Sequence, residues 1–311
     1  MKNEENDEKL VVNEEDKEVD ASSGKLKLIT AIIIIAFIIS IALVILGIVK
    51  YFFTEQKGYE VYEKYEKIGT ISEDGNDKVY KGKNKTNENE LVAIKEIHIT
   101  SSRTKESIEQ EIKYMELFKN NQNSLKCIGK YEEDNIVFLV TELYQNNLKS
   151  FVDKSKDGFK PGEIKIVMNQ LSSILSEILK QNIIHHDIKL ENILVQFNNE
   201  SKFDIKLSEY GKAINLTNNL TDDEVKELKS LDLLSLGEIM YEMSFKKKEN
   251  STEEMRNNIE KINNTNLVDL LKKTLVDNVE QRIDWDNFFN HIFINSTISD
   301  TDWSQVENIK N

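Results

Sequence analysis

Four stretches of this chain carry side chains that could do chemistry together. The first is Val92-Ala93-Ile94-Lys95, an apolar strand pattern ending in an ammonium group. The second is the run His185-His186-Asp187-Ile188-Lys189-Leu190-Glu191-Asn192-Ile193-Leu194. It places a carboxylate, an amine two residues on and an amide five residues on. The third is Glu209-Tyr210-Gly211, directly after the strand-like Phe203–Leu207. The fourth is Gly69-Thr70-Ile71-Ser72-Glu73-Asp74-Gly75-Asn76-Asp77-Lys78-Val79, a glycine-containing turn between strand patterns. A strand ending in lysine is common and means little alone. In this order, the groups are of the types phosphoryl transfer draws on, because that reaction is catalysed mostly by positioning and by neutralising phosphate charge.

The order and spacing resemble the protein kinases. The run at His185 is similar to the catalytic loop of that family, His-Arg-Asp followed by Asn. Lys95 precedes it by about 90 residues. Between them stand Glu111, in a helical pattern over Ser107–Phe118, and the hinge-like Leu139-Val140-Thr141-Glu142-Leu143. After them come Asp232-Leu233-Leu234-Ser235-Leu236-Gly237 and Asn278-Val279-Glu280-Gln281-Arg282-Ile283. The resemblance covers residues 62–294. It implies an α+β, bilobal fold with a small β-rich lobe followed by a larger helical lobe.

The resemblance also implies roles. Lys95 would contact the α- and β-phosphates of ATP, held by an ion pair with Glu111. Asp187 would accept the proton of the substrate hydroxyl, Lys189 would stabilise the transferring phosphoryl group, and Asn192 would help hold Mg²⁺ with Glu209. Gly69, Val79, Ala93, Leu194 and the backbone of Glu142 and Tyr144 would surround the nucleotide, with Thr141 as gatekeeper. Lys189 in Asp-x-Lys points to Ser/Thr hydroxyls of a protein as the acceptor.

Three departures accompany the likeness. Glu209 replaces the Asp of Asp-Phe-Gly, moving the oxygens by about one bond length at a metal that tolerates misplacement badly. Tyr210 takes the place of the Phe, beside His185 and Met115. The Gly69–Val79 stretch is too long for the family's glycine loop and lacks its second glycine, so a longer solvated hairpin is expected, with Glu73, Asp74 and Asp77 facing away from the nucleotide. Only 20 residues separate Gly211 from Asp232, and with Pro161 the sole proline there is no Ala-Pro-Glu motif. Arg282 must therefore find a partner other than that motif's Glu, and His186 replaces the Arg that usually meets a phosphorylated loop. Two readings stay open: a Ser/Thr protein kinase, and a pseudokinase serving as a nucleotide-binding or scaffolding module.

The elements that must position these groups begin after an uncharged run, Leu28 to Val49. At 1.5 Å per residue this run matches a bilayer's hydrocarbon thickness, so a transmembrane helix over 28–49 is expected. Residues 1–27 read as a disordered acidic tail, 50–61 as a connector and 295–311 as a loosely held polar tail. Lysines flank the apolar run on both sides, so charge leaves its orientation a tie. ATP chemistry favours a single-pass protein with the kinase-like domain in the cytosol. The lone Cys127 rules out an internal disulfide framework. A net charge of −14 argues against nucleic acid as a partner.

Overall fold

The computed structural model describes residues 30, 32–46, 59–74, 77–198, 202–217 and 219–306. Contacts divide the chain into two compact units, residues 1–59 and Glu60–Asn311. In the first unit, residues 32–46 are helical, and the large apolar side chains from Ile32 to Leu46 are all exposed. The ends of the expected 28–49 span, the acidic tail and most of the connector lie outside the described residues. Among the described residues, no helix is long and apolar enough to cross a membrane.

The second unit has the two expected textures. Five antiparallel strands form one sheet: β1 (Tyr65–Asp74), β2 (Asp77–Asn84), β3 (Leu91–His98), β4 (Cys127–Glu133) and β5 (Ile136–Glu142), in the order β1-β2-β3-β5-β4. Alternation along β3 buries Val92 and Ile94 on one face and places Ala93, Lys95 and the buried Ile97 on the other. Lys95 is flanked by Val79 on β2 and Leu139 on β5, and Ala93 by Lys81 and Thr141. Helix α1 (Lys105–Leu117) follows β3. Thr104 caps it, accepting the Ser107 N–H, and it buries Ile108, Glu111, Tyr114 and Met115 at helical spacing.

The helical lobe is built around α2 (Pro161–Lys180), with Pro161 opening its first turn and Ile164, Val167, Met168, Leu171, Leu175 and Ile178 buried. Across it lies α3 (Asp222–Phe245), started by a Thr221/Glu224 capping box, and then α4 (Thr265–Thr274). Ahead of α2 the chain makes the short strand β6 (Asn146–Asn147), and between α2 and α3 it makes β7 (Ile183–Ile184), β8 (Ile193–Phe197), β9 (Phe203–Leu207) and β10 (Ile214–Asn215). Strands β8 and β9 pair antiparallel from Ile193↔Leu207 outward, and β10 pairs with β7.

The C-terminal stretch differs from the loose tail read in the sequence. Residues 300–304 form a short helix, and Gln305 Oε1 accepts the Gly162 N–H at 2.9 Å. Lys165 reaches Asp302 at 3.3 Å, Trp303 packs edge-on to Phe203, and Val306 is buried. A polar stretch this short shows no periodicity, so these four anchoring side chains are invisible in the pattern.

Candidate active site

Strand β8 ends one side of the loop His185–Asn192, and strand β9 delivers Glu209 opposite it. The loop is shaped by Asp232 of α3. Its carboxylate accepts the backbone N–H groups of both His185 and His186, each at 2.9 Å. His186 takes a left-handed conformation, φ 57°, so the two N–H groups converge. His185 is fully buried, accepts the Asp187 N–H on Nδ1 at 3.3 Å and turns Nε2 to the Ser208 carbonyl at 3.0 Å. That pairing puts the proton on Nε2, and burial lowers the imidazole to about 4, so the ring is neutral.

Asp187 is the best-partnered carboxylate of the loop. Asn192 Nδ2 donates to Asp187 Oδ2 at 2.9 Å and to its carbonyl at 2.8 Å. Lys212 Nζ donates to Oδ1 at 3.0 Å, and Lys189 Nζ stands 3.6 Å from Oδ2. Burial pushes this carboxyl up, but the Lys212 bond, Lys189 and Asn192 outweigh it and hold it below the ordinary range. Lys212, one residue past Gly211, had no motif to mark it.

Facing this loop, Lys95 lies 3.6 Å from Glu111 Oε1 and is ion-paired with Glu209 Oε1. Burial works against its charge, but Glu111 and Glu209 hold the ammonium above the ordinary lysine value. The Glu209 carboxyl is pushed up by burial and more strongly down by Lys95 and Arg103, so it is ionised. Glu209 is also left-handed, φ 64°, which turns its side chain to the small lobe.

The expected Lys95–Glu111 pair is therefore present, with a partner that sequence reasoning missed. Arg103 Nη2 donates to Glu111 Oε2 at 2.5 Å and lies 3.7 Å from Glu209 Oε2. Its one available signal is rarity, as one of three arginines in a lysine-rich chain. Tyr210 is buried beside His185, ring centroids 5.2 Å apart, as expected of the family's Phe. Its hydroxyl, which a Phe lacks, meets Ser124 Oγ at 2.9 Å.

A cavity of about 350 Å³ lies between the two lobes, within the size range of small-molecule sites. Val79, Ala93 and Leu194 line its apolar walls, Thr141 and Leu139 its back, and Glu142 and Tyr144 its hinge edge. Lys95, Glu111, Asn192 and Glu209 face its inner end. Asp187 and Lys189 stand just beyond, tied through Asn192. A larger hollow, about 750 Å³, opens beside Arg282 and Trp285 on the helical lobe, far from these groups. It has no converging catalytic side chains, so the smaller cavity is the site.

Gly69 does not line the cavity; Ile71 and Ser72 do. Two irregularities in the β1–β2 pairing, at Lys67/Gly69 and Thr70/Ser72, shift the strand, and a side chain at Gly69 would meet open space. The strands stay paired to Asp74↔Asp77, so the stretch is the hairpin expected, with two irregularities of pairing added. Glu73 is exposed as expected. Asp77 is not: it is half-buried, within electrostatic reach of Lys95, Arg103 and Glu209, and burial raises its carboxyl.

The donors assigned to Mg²⁺ are otherwise engaged. Both Glu209 oxygens face cations, whereas Asn192 uses only its amide nitrogen on Asp187, and its amide oxygen, the atom that would meet a metal, takes no part in that bond. Among the described residues, no group of three or more His, Cys, Asp or Glu side chains could hold a metal. With its carboxylate held by Lys95 and Arg103, Glu209 presents no free ligand to a divalent cation, whereas the cavity has the size of a small-molecule site.

Comparison with known proteins agrees with the fold. The family described as "Protein kinase domain" matches residues 62–294. CTD kinase subunit alpha of Schizosaccharomyces pombe is 31% identical over 162 residues, 50% of this chain and 27% of that protein. Cyclin-dependent kinase-like 5 of Mus musculus is 28% identical over 203 residues, 59% of this chain and 21% of that protein. A probable serine/threonine-protein kinase of Dictyostelium discoideum is 26% identical over 166 residues, 50% of this chain and 12% of that protein. The matches thus cover under a third of each relative's length.

Proposed function

The chain belongs to the protein kinase family, and on that premise we propose that it is a membrane-anchored kinase transferring the γ-phosphoryl group of ATP to Ser/Thr hydroxyls of a protein. The observation that carries this reading is the state of Asp187. It is ionised, oriented by Asn192 and flanked by Lys189 and Lys212, just beyond the inner end of the cavity that Asn192 lines. The adenine ring would lie between Val79 and Ala93 on one side and Leu194 on the other, its edge on the backbone of Glu142 and Tyr144. The phosphates would point to Lys95 and Lys189.

The substrate hydroxyl oxygen forms its bond to the γ-phosphorus as the bond to the β–γ bridging oxygen breaks. The hydroxyl proton passes to Asp187, and ADP leaves. A carboxylate held this acidic is a weak base, so its work is to orient the hydroxyl and take the proton late. Magnesium supplies charge neutralisation in kinases generally. With Glu209 already paired, no step here is assigned to it. The same pairing, with the short stretch between Gly211 and Asp232, favours a second reading: a nucleotide-binding pseudokinase that transfers nothing.

Transfer of γ-phosphate from labelled ATP by the full chain tests both readings. Asp187→Asn is expected to lower transfer by about 10²–10³-fold and to leave ATP affinity unchanged. Equal transfer by the wild type and this variant would sink the kinase reading; ATP binding without transfer would select the second. The proposed anchor rests on the uncharged run 28–49 and the unpartnered apolar side chains over residues 32–46. Because ATP is its substrate, the kinase domain is placed in the cytosol.

A further inference from the structure

Arg103 lies in the turn before α1, where its N–H donates to Thr100 Oγ1 and its carbonyl accepts the Thr100 N–H, both at 3.0 Å. This turn points the guanidinium inward. There, two cations and two carboxylates form a ring. Lys95 faces Oε1 of Glu111 and Oε1 of Glu209; Arg103 faces Oε2 of each. Gly211 lies against the ring: a Cβ there would stand 3.2 Å from Arg103 Nη1 and 3.5 Å from Glu111 Oε2. Arg103 Nε is buried with no hydrogen-bond partner among the described residues, so the guanidinium keeps donor capacity.

We propose that Arg103, which stands behind Glu111 and Glu209 at the inner end of the cavity without lining it, takes the charge-neutralising place of the divalent cation, so that nucleotide binding does not depend on magnesium. The inference rests on the reading of the cavity as a nucleotide site. A metal entering here must displace Lys95 and Arg103 from Glu209 while enduring their charge. Arginine is permanently charged and presents a planar fork of donors, which suits it to bridge carboxylates and meet phosphate oxygens. Asp77, turned toward the same place, adds negative charge that a metal-free polyphosphate must overcome, and Arg103 offsets it.

ATP and adenosine affinities of the full chain in lipid nanodiscs, with Mg²⁺ and with EDTA, decide the matter. Wild-type affinity for ATP is expected to agree within about twofold between the two conditions. In Arg103→Gln, ATP binding in EDTA should fall about tenfold and recover with Mg²⁺, while adenosine, which has no phosphates, binds as before. Wild-type binding that requires Mg²⁺ overturns the inference and leaves the nucleotide reading standing. So does an Arg103→Gln variant indistinguishable from wild type in EDTA. Silence toward ATP and adenosine in every condition overturns both. Glu209→Gln is a second variant, independent of any folding defect at Arg103. Its ATP affinity should not respond to Mg²⁺, and a loss confined to Mg²⁺ would show Glu209 ligating metal and overturn the inference.

Discussion

Glu163 is almost fully buried in the first turn of α2, where Oε2 accepts the Lys160 N–H at 2.6 Å and Oε1 is buried without a hydrogen-bond partner among the described residues. Burial pushes this carboxyl up to about 7, against the pull of the Lys160 N–H. The folded chain therefore keeps a proton that the unfolded chain releases near pH 4.5. Stability from this group is complete below about pH 4.5 and is lost as pH rises through 7, by up to about 3 kcal/mol. Glu163→Gln removes the titration but keeps an acceptor for Lys160. Thermal melts at pH 5 and pH 8 should show the variant gaining on wild type at the higher pH. A difference that stays flat between them would remove Glu163 as the cause. Single residues are also where the sequence was most and least readable. Lys95, Glu111, Asp187 and Asn192 stand in motifs, and the fold brings them together. Arg103, Lys212 and Ser124 act through tertiary contacts alone, and nothing in their neighbours along the chain marks them.

At the level of elements, strands and helices with clear periodicity are legible to within a few residues: the helical pattern over Ser107–Phe118 is α1, Lys105–Leu117, and the strand pattern over Phe203–Leu207 is β9. The β1–β2 hairpin is legible, but its irregularities and the inward turn of Asp77 are not, because bulges and register depend on pairing and not on the residues of one strand. Packing between helices is equally hidden. Gly237 of α3 faces α4 so closely that a Cβ would lie 2.6 Å from Thr274 Oγ1 and 2.9 Å from Thr274 Cβ. That hydroxyl cannot swing away freely, since it bonds the Leu270 carbonyl at 3.0 Å. Gly237→Ala gains helix propensity but overpacks the contact, for a net loss of about 1–2 kcal/mol. The melting temperature should fall by about 3–6 °C, with an unchanged or higher value refuting the close approach.

For the molecule as a whole, the proposed arrangement is a kinase domain tethered to a bilayer by a single apolar helix. In sealed vesicles with the cytosolic face outward, protease should remove an epitope placed after Asn311. Protection of that epitope would reverse the proposed orientation, and release of the chain by carbonate extraction would remove the anchor itself.

Arg282 links these scales. Its guanidinium is held by the Ser230 carbonyl at 2.7 Å, Ser230 Oγ at 2.8 Å and the Val276 carbonyl at 2.7 Å. All three belong to the helical lobe. The lobe thus fastens its arginine without help from the chain between Gly211 and Thr221. A change confined to that stretch leaves the arginine's anchor in place, and its cost falls elsewhere: on the β10–β7 pairing and on the Lys212 bond to Asp187.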